Sequence, residues 1–261
     1  MAKRIFLDIE TLPPTESDLH KIALKSGLQQ SANTSVENEA EVDQLAEGNI
    51  REMALHGEFG RVLTIGIILE EDGELIHHGL LGRNTESLTF HLDEKRTLRA
   101  FWKLMQGFNL NRDVIVGHNV LDFDLPFIVK RSIIHQIKPS LQIPFRRYQR
   151  QPIFDTMWEW SCWRHRVSLN DLALALGMSS PKGRGIDGSL VFDAWLSGRE
   201  QEIALYCMRD VECVREVFYR LNFESAPPIV SYETKVQADL KQHSVKQRNH
   251  ADMPECVSLT G

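Results

Sequence analysis

Two carboxylates one residue apart close the first apolar run of the chain, Phe6-Leu7-Asp8-Ile9-Glu10, just ahead of a Thr-Leu-Pro-Pro breaker. Side chains alternate along a strand, so Asp8 and Glu10 point the same way. Like charges held that close raise each other's pKa unless a cation sits between them. Carboxylate oxygens suit hard divalent ions such as Mg²⁺, although a strand end surfacing into water would read the same. A third acid, Asp124, follows another apolar run, Asp113-Val-Ile-Val-Gly117, with His118, Asn119 and Asp122 crowded beside it. An Asp there can cap a helix, yet polar groups at the carboxyl end of a strand are where α/β proteins build sites. The fourth is Asp210. Ile203, Cys207, Val211, Val214, Phe218 and Leu221 make an apolar stripe at helical spacing, and Asp210 falls inside its edge. Tyr206, four residues earlier, can meet it. A carboxylate on a buried face must be hydrogen-bonded, ion-paired or metal-bound, and all three remain open.

These acids need elements to hold them. A strand is expected over 3–8, then a long polar segment, 11–60, with nine acids against three basic residues and short helices near 16–28 and 39–56. Runs at 62–69 and 74–81 flank Glu-Asp-Gly, a hairpin signal. Helical spacing follows over 92–108, a buried strand at 113–117, and a helix from about 124 to 136 with Pro in its first turn. VSLNDLALALGM, 167–178, reads as a helix capped by Ser or Asn. A loop at 179–188 leads to the long helix, 199–221. From 223 the sequence is aperiodic and is read as a mostly disordered tail. A leading hairpin followed by βα units predicts one α/β domain with a mixed sheet.

Composition excludes several classes. The 261 residues carry a formal charge of −6, which disfavours a general nucleic-acid coat. Residues 126–185 nevertheless hold ten Lys and Arg against three acids, the footprint of a phosphate-bearing ligand handled at one place. Within it, Arg146, Arg147, Tyr148 and Arg150 form a candidate backbone track. Trp158, Trp160 and Trp163 invite base stacking, though packing is expected for at least two of them. No apolar run approaches the length of a membrane span, and the N-terminal one is too short for a signal peptide. The four cysteines show no CxxC spacing, so a cytoplasmic protein is expected.

Taken in order, the segments read Asp-x-Glu, then Asn-x-x-x-Phe-Asp, then Tyr-x-x-x-Asp. Here the sequence resembles the tyrosine branch of the DEDD superfamily of 3′→5′ exonucleases. Asp8 and Glu10 match its first motif, Asn119, Phe123 and Asp124 its second, and Tyr206 and Asp210 its third. The histidine branch would want His at 205, which is Leu. The wording FLDIET, GHNVLDFDLPFI, SLNDLALALG and YCMRDV is most similar to bacterial exonucleases related to the proofreading domain of family B polymerases. The resemblance covers 3–222 and departs from the pattern in the acidic segment 11–60 and in the tail, 223–261. It implies a ribonuclease-H-like fold, a mixed β-sheet flanked by helices. It also implies two ions, Mg²⁺ or Mn²⁺, held by Asp8, Glu10, Asp124 and Asp210, with Tyr206 orienting the attacking water. His118, Asn119 and Phe123 would contact substrate, the 3′ end of single-stranded DNA. RNA is the alternative substrate, and a non-catalytic binding module on the same fold is the alternative function. Too little chain remains for a polymerase domain, so a stand-alone nuclease is expected.

Overall fold

Strand β1, Lys3–Leu12, is the axis of the molecule. It is apolar on both sides because it is covered on both. Ile5, Leu7 and Ile9 pack into one core cluster, while Phe6 meets Phe218 edge-on across the other face. A computed structural model describes residues 2–19, 50–84, 89–180 and 186–239. It divides into two units, 1–227 and 228–261.

Among the described residues five strands form one sheet in the order β3-β2-β1-β4-β5. Strands β2, Arg61–Glu71, and β3, Glu74–Leu81, make the expected hairpin, turning through Asp72 and Gly73 at positive φ. Strand β2 runs antiparallel to β1, whereas β4, Val114–Gly117, runs parallel to it. Strand β5, Ile153–Asp155, then pairs parallel with β4. The sheet is therefore mixed, as the sequence predicts. Helix α1, Glu94–Leu104, and helix α2, Asp124–Ile134, follow β3 and β4. Trp102 Nε1 of α1 donates to Ser132 Oγ of α2 (2.9 Å). Short helices α3, Thr156–Ser161, α4, Leu169–Ala175, and α5, Val191–Leu196, lead to the long helix α6, Glu200–Leu221. Of the two caps weighed for α4, Ser168 is the one used.

Helix α6 lies on the Phe6 face of the sheet, and two features fix it there. Gly66 faces Asp8 across the β1–β2 ladder. A Cβ on Gly66 would stand 2.8 Å from Val211 Cγ2 and 2.9 Å from Cys207 Sγ, so the close approach requires glycine. Further along, the fully buried Arg215 donates through Nε to Glu70 Oε1 (2.5 Å) and through Nη2 to the Pro227 carbonyl (2.8 Å). Tyr219 donates its hydroxyl to the other Glu70 oxygen (2.6 Å) and accepts from Arg4 (3.0 Å). A buried charge must be paired in this way, and removing one partner typically costs about 3–5 kcal/mol.

Three expectations change. Strand β1 runs four residues beyond 8, because β2 supplies a partner as far as Leu12. Strand β5 and helices α3 and α5 have no counterpart among the expected elements, since a three-residue strand and six-residue helices leave no periodicity in the sequence. Residues 232–239 are helical where a mostly disordered tail was expected, and residues 240–261 lie outside the described residues. Positions 16–19 and 50–53 are helical as expected, but the rest of the segment, 20–49, also lies outside them, as do 181–185 of the loop before α5.

Candidate active site

The four acids singled out by spacing come together at the carboxyl ends of β1 and β4. Asp8 and Glu10 share the face of β1 on which α6 lies, and the ladder slips register between Glu10 and Thr11. Such a bulge re-aims a strand where side chains must converge. One oxygen each of Asp8 and Glu10 and the Sγ of Cys207 lie within 4.8 Å of one another. Asp124 opens α2 and reaches back across the sheet, where its Oδ1 accepts the Ile9 amide (3.0 Å). It caps nothing, and neither does Asp122, which takes Trp158 Nε1 (3.2 Å) and pairs with Arg147. Tyr206 and Asp210 come from α6, four residues apart on one face of the helix.

Electrostatics follow from this crowding. Glu10 is 5 % exposed and Asp124 2 %. Burial is the leading influence on Asp8, then repulsion from Asp124, Glu10 and Asp210, and together these hold its pKa well above the ordinary carboxylate range. Glu10 is raised by burial and then by Asp210 and Asp124. Asp124 is pushed up to about 7, burial outweighing the backbone amides that it accepts. Burial and the three neighbouring acids Asp210, Glu10 and Asp8 drive the Tyr206 phenol upward too, so it stays neutral. The Cys207 thiol is raised for the same reasons and donates to the Asp8 carbonyl at 3.8 Å. The donor set fits hard cations: four oxygen-bearing acids that destabilise one another until positive charge arrives.

A cavity of about 410 Å³ opens over Asp8, Glu10 and Asp210, lined also by Phe123, Val191, Phe192 and Tyr206. Arg51, Glu52, Ala54 and Leu55 form part of its wall, so the acidic segment reaches the site. Arg51 holds Asp193 of α5 with two hydrogen bonds (3.0 and 2.6 Å).

The expected substrate contacts divide. Phe123 lines the cavity. Asn119 adopts a left-handed conformation, φ 62°, and its side-chain oxygen is buried with no hydrogen-bond partner among the described residues. His118 instead points into the fold: Nδ1 meets Thr156 Oγ1 (3.0 Å) and Nε2 the Val167 carbonyl (2.8 Å). Burial lowers its pKa to about 4, so it is a neutral strut between α3 and the approach to α4. Arg147 and Arg150 are held by Asp122 and Glu159, while Arg146 and Tyr148 are exposed.

Sequence reasoning missed Asp155 and Cys207. Asp155 ends β5 and accepts the amides of Asn119 (3.0 Å) and Leu121 (3.0 Å) with separate oxygens, besides capping α3. It thereby shapes the turn that delivers Asp124. The signal was present, since Ile-Phe-Asp at 153–155 repeats the pattern Phe-Leu-Asp at 6–8. Cys207 was assigned only to the apolar stripe, and nothing in its spacing points to Asp8.

Residues 54–252 match the family described as a predicted 3′-5′ exonuclease related to the exonuclease domain of PolB. The match takes in Asp124, Tyr206 and Asp210 and begins after Asp8 and Glu10. No curated protein matches the chain. Among solved structures it is similar to the family B DNA polymerase from the hyperthermophilic archaeon Pyrobaculum calidifontis, with a TM-score of 0.50 and 15% identity over 84% of this chain. It is also similar to the Saccharomyces cerevisiae apo Pan2 pseudoubiquitin hydrolase-RNA exonuclease module in complex with AAGGA RNA, with a TM-score of 0.37 and 14% identity over 94% of this chain. The chain spans 24% of the first protein's length and 33% of the second's. At such identity the polymerase likeness speaks to the fold, and it agrees with a ribonuclease-H-like mixed sheet flanked by helices.

Proposed function

The chain belongs to the family of predicted 3′-5′ exonucleases related to the exonuclease domain of PolB, and from that premise we propose that it hydrolyses nucleotides from the 3′ end of single-stranded nucleic acid, DNA before RNA, using two Mg²⁺ or Mn²⁺ ions. One observation carries the reading. Four carboxylates from three elements cluster together, three of them (Asp8, Glu10 and Asp210) lining one cavity, and burial with mutual repulsion raises the pKa of Asp8, Glu10 and Asp124 together. Such a cluster is unfavourable until cations enter it. Asp8, Glu10 and Asp210 would hold one ion, and Asp8 with Asp124 the other. Bound there, such ions supply an activated water and stabilise the leaving 3′ oxygen.

The chain's own groups do the rest. In hydrolysis a water oxygen adds to phosphorus while the P–O3′ bond breaks, leaving a new 3′ hydroxyl and a free 5′-nucleotide. Tyr206 lines the cavity beside Asp210 and stays neutral, so it orients the water and takes no proton. Phe123 lines the cavity and offers the terminal base an apolar face. Cys162, Cys207 and Cys213 are free thiols, which suits the cytoplasm. Among the described residues no helix is long and apolar enough to cross a membrane.

A polarity assay tests the reading. DNA and RNA strands labelled at the 5′ end should shorten progressively from the 3′ end, only with Mg²⁺ or Mn²⁺ present, and a 3′ phosphate should slow the loss. Cleavage of a circular single strand would overturn it.

A further inference from the structure

Outside the carboxylate site the surface carries an aromatic stack. Trp158 and Trp163 lie parallel, 3° apart with ring centroids at 5.6 Å. Tyr148 packs on Trp163 at 4.8 Å with its rings tilted by 45°, and Tyr148 is 74 % exposed. The inner end is fixed from both sides, with Arg147 over the Trp158 ring and Trp158 Nε1 on Asp122, two residues from Asp124. The outer end faces solvent.

The backbone is bent to keep it so. Tyr148, Cys162 and Trp163 all have positive φ, at 64°, 51° and 61°. Bulky residues rarely adopt that conformation, and strain of this kind gathers where function requires it. Packing alone would not ask for an exposed tyrosine ring held in a strained turn. Exposed cations also lie within three residues of the rings along the chain. Arg146, Arg164 and Arg166 are exposed, and among the described residues no acid pairs with them. Arg147 and Arg150, by contrast, are already matched by Asp122 and Glu159.

We propose that Tyr148, seated on the Trp163–Trp158 stack, is a stacking platform for a base of a single strand upstream of its 3′ end, with Arg146, Arg164 and Arg166 on the phosphates. The nuclease reading enters only in naming the strand whose end occupies the cavity. An exposed ring stacks on any base, so the platform is indifferent to sequence, and flanking cations make binding salt-dependent.

Fluorescence anisotropy of 5′-labelled oligothymidylates on the full chain, with divalent ions chelated, tests it. Tyr148→Ala should weaken binding of a dodecamer by roughly 5- to 150-fold, the worth of about one stacked base. It should also shrink the dodecamer's advantage over a trinucleotide. Tyr148→Phe keeps the ring and should keep parent affinity, which separates stacking from folding. Arg146→Gln with Arg164→Gln should flatten the dependence of affinity on salt. Parent affinity in Tyr148→Ala would overturn the platform and return this face to a protein partner. If strands bind as expected but none is hydrolysed with Mg²⁺ or Mn²⁺, the platform stands and the exonuclease reading falls.

Discussion

Tyr206 differs from its acidic neighbours in bringing no charge, and that sets what it can do. Burial and the carboxylates of Asp210, Glu10 and Asp8 keep its proton in place. Tyr206→Phe retains the ring against the cluster of Leu12, Val191 and Ile203 and removes only the hydroxyl. Turnover should fall by about 10²- to 10⁴-fold, the usual worth of a group that positions a proton or a water. Mn²⁺ binding, read by calorimetry, should hold at the parent value. Parent-like single-turnover rates would reduce Tyr206 to packing. His118 shows the opposite case, a residue whose chemistry is spent inside the fold, both nitrogens being bonded and the ring neutral.

At the scale of elements, α6 is the part on which the site depends most. It carries Tyr206, Cys207 and Asp210 and approaches β1 closely only because Gly66 lacks a side chain. In Gly66→Ala the new methyl meets Val211 and Cys207, neither of which has room to retreat. Overpacking of this kind typically costs about 1–3 kcal/mol. Activity should suffer beyond that loss, because the shift displaces Asp210 and Tyr206 from Asp8 and Glu10. Gly79→Ala, on the neighbouring strand β3, meets nothing nearer than 3.6 Å and serves as control. Urea unfolding and kcat measured on both variants decide the matter, and equal behaviour would mean that α6 tolerates displacement.

For the whole molecule the acid cluster makes stability a function of pH and, on the proposed reading, of metal. Asp124 has its pKa raised from 3.8 to about 7, and Asp8 and Glu10 are raised as well. Between those values the native state holds protons that the unfolded chain has released. Metal-free stability contributed by this cluster is therefore full below pH 3.8 and falls as pH climbs toward about 7. Asp124→Asn keeps an oxygen for the Ile9 amide and loses the titration. With chelator present, thermal unfolding of the parent should drop relative to Asp124→Asn as pH rises through that window. Mn²⁺ should restore the parent most strongly at the upper end, since an ion displaces the bound protons. A parent that gains on the variant with rising pH would mean that the acids are neutralised within the fold.

The sequence by itself picked out the acids that cluster and determined the order of the main elements. Alternation placed Asp8 beside Glu10, helical spacing placed Tyr206 beside Asp210, and an apolar run ahead of Asp124 marked a strand end. Each is a local rule acting within a few residues. What no local rule could supply is which distant groups meet. That Asp124 would bond the Ile9 amide instead of capping its own helix depends on β1 and β4 being parallel neighbours. That Asp155 would shape the Asn119 turn depends on a three-residue strand with almost no pattern of its own. That His118 and Arg147 would be occupied within the fold, and Tyr148 left outside it, was likewise decided by packing. Long-range pairing is paid for by burying the whole sheet, so only the assembled molecule fixes which polar groups are spent and which remain free to act.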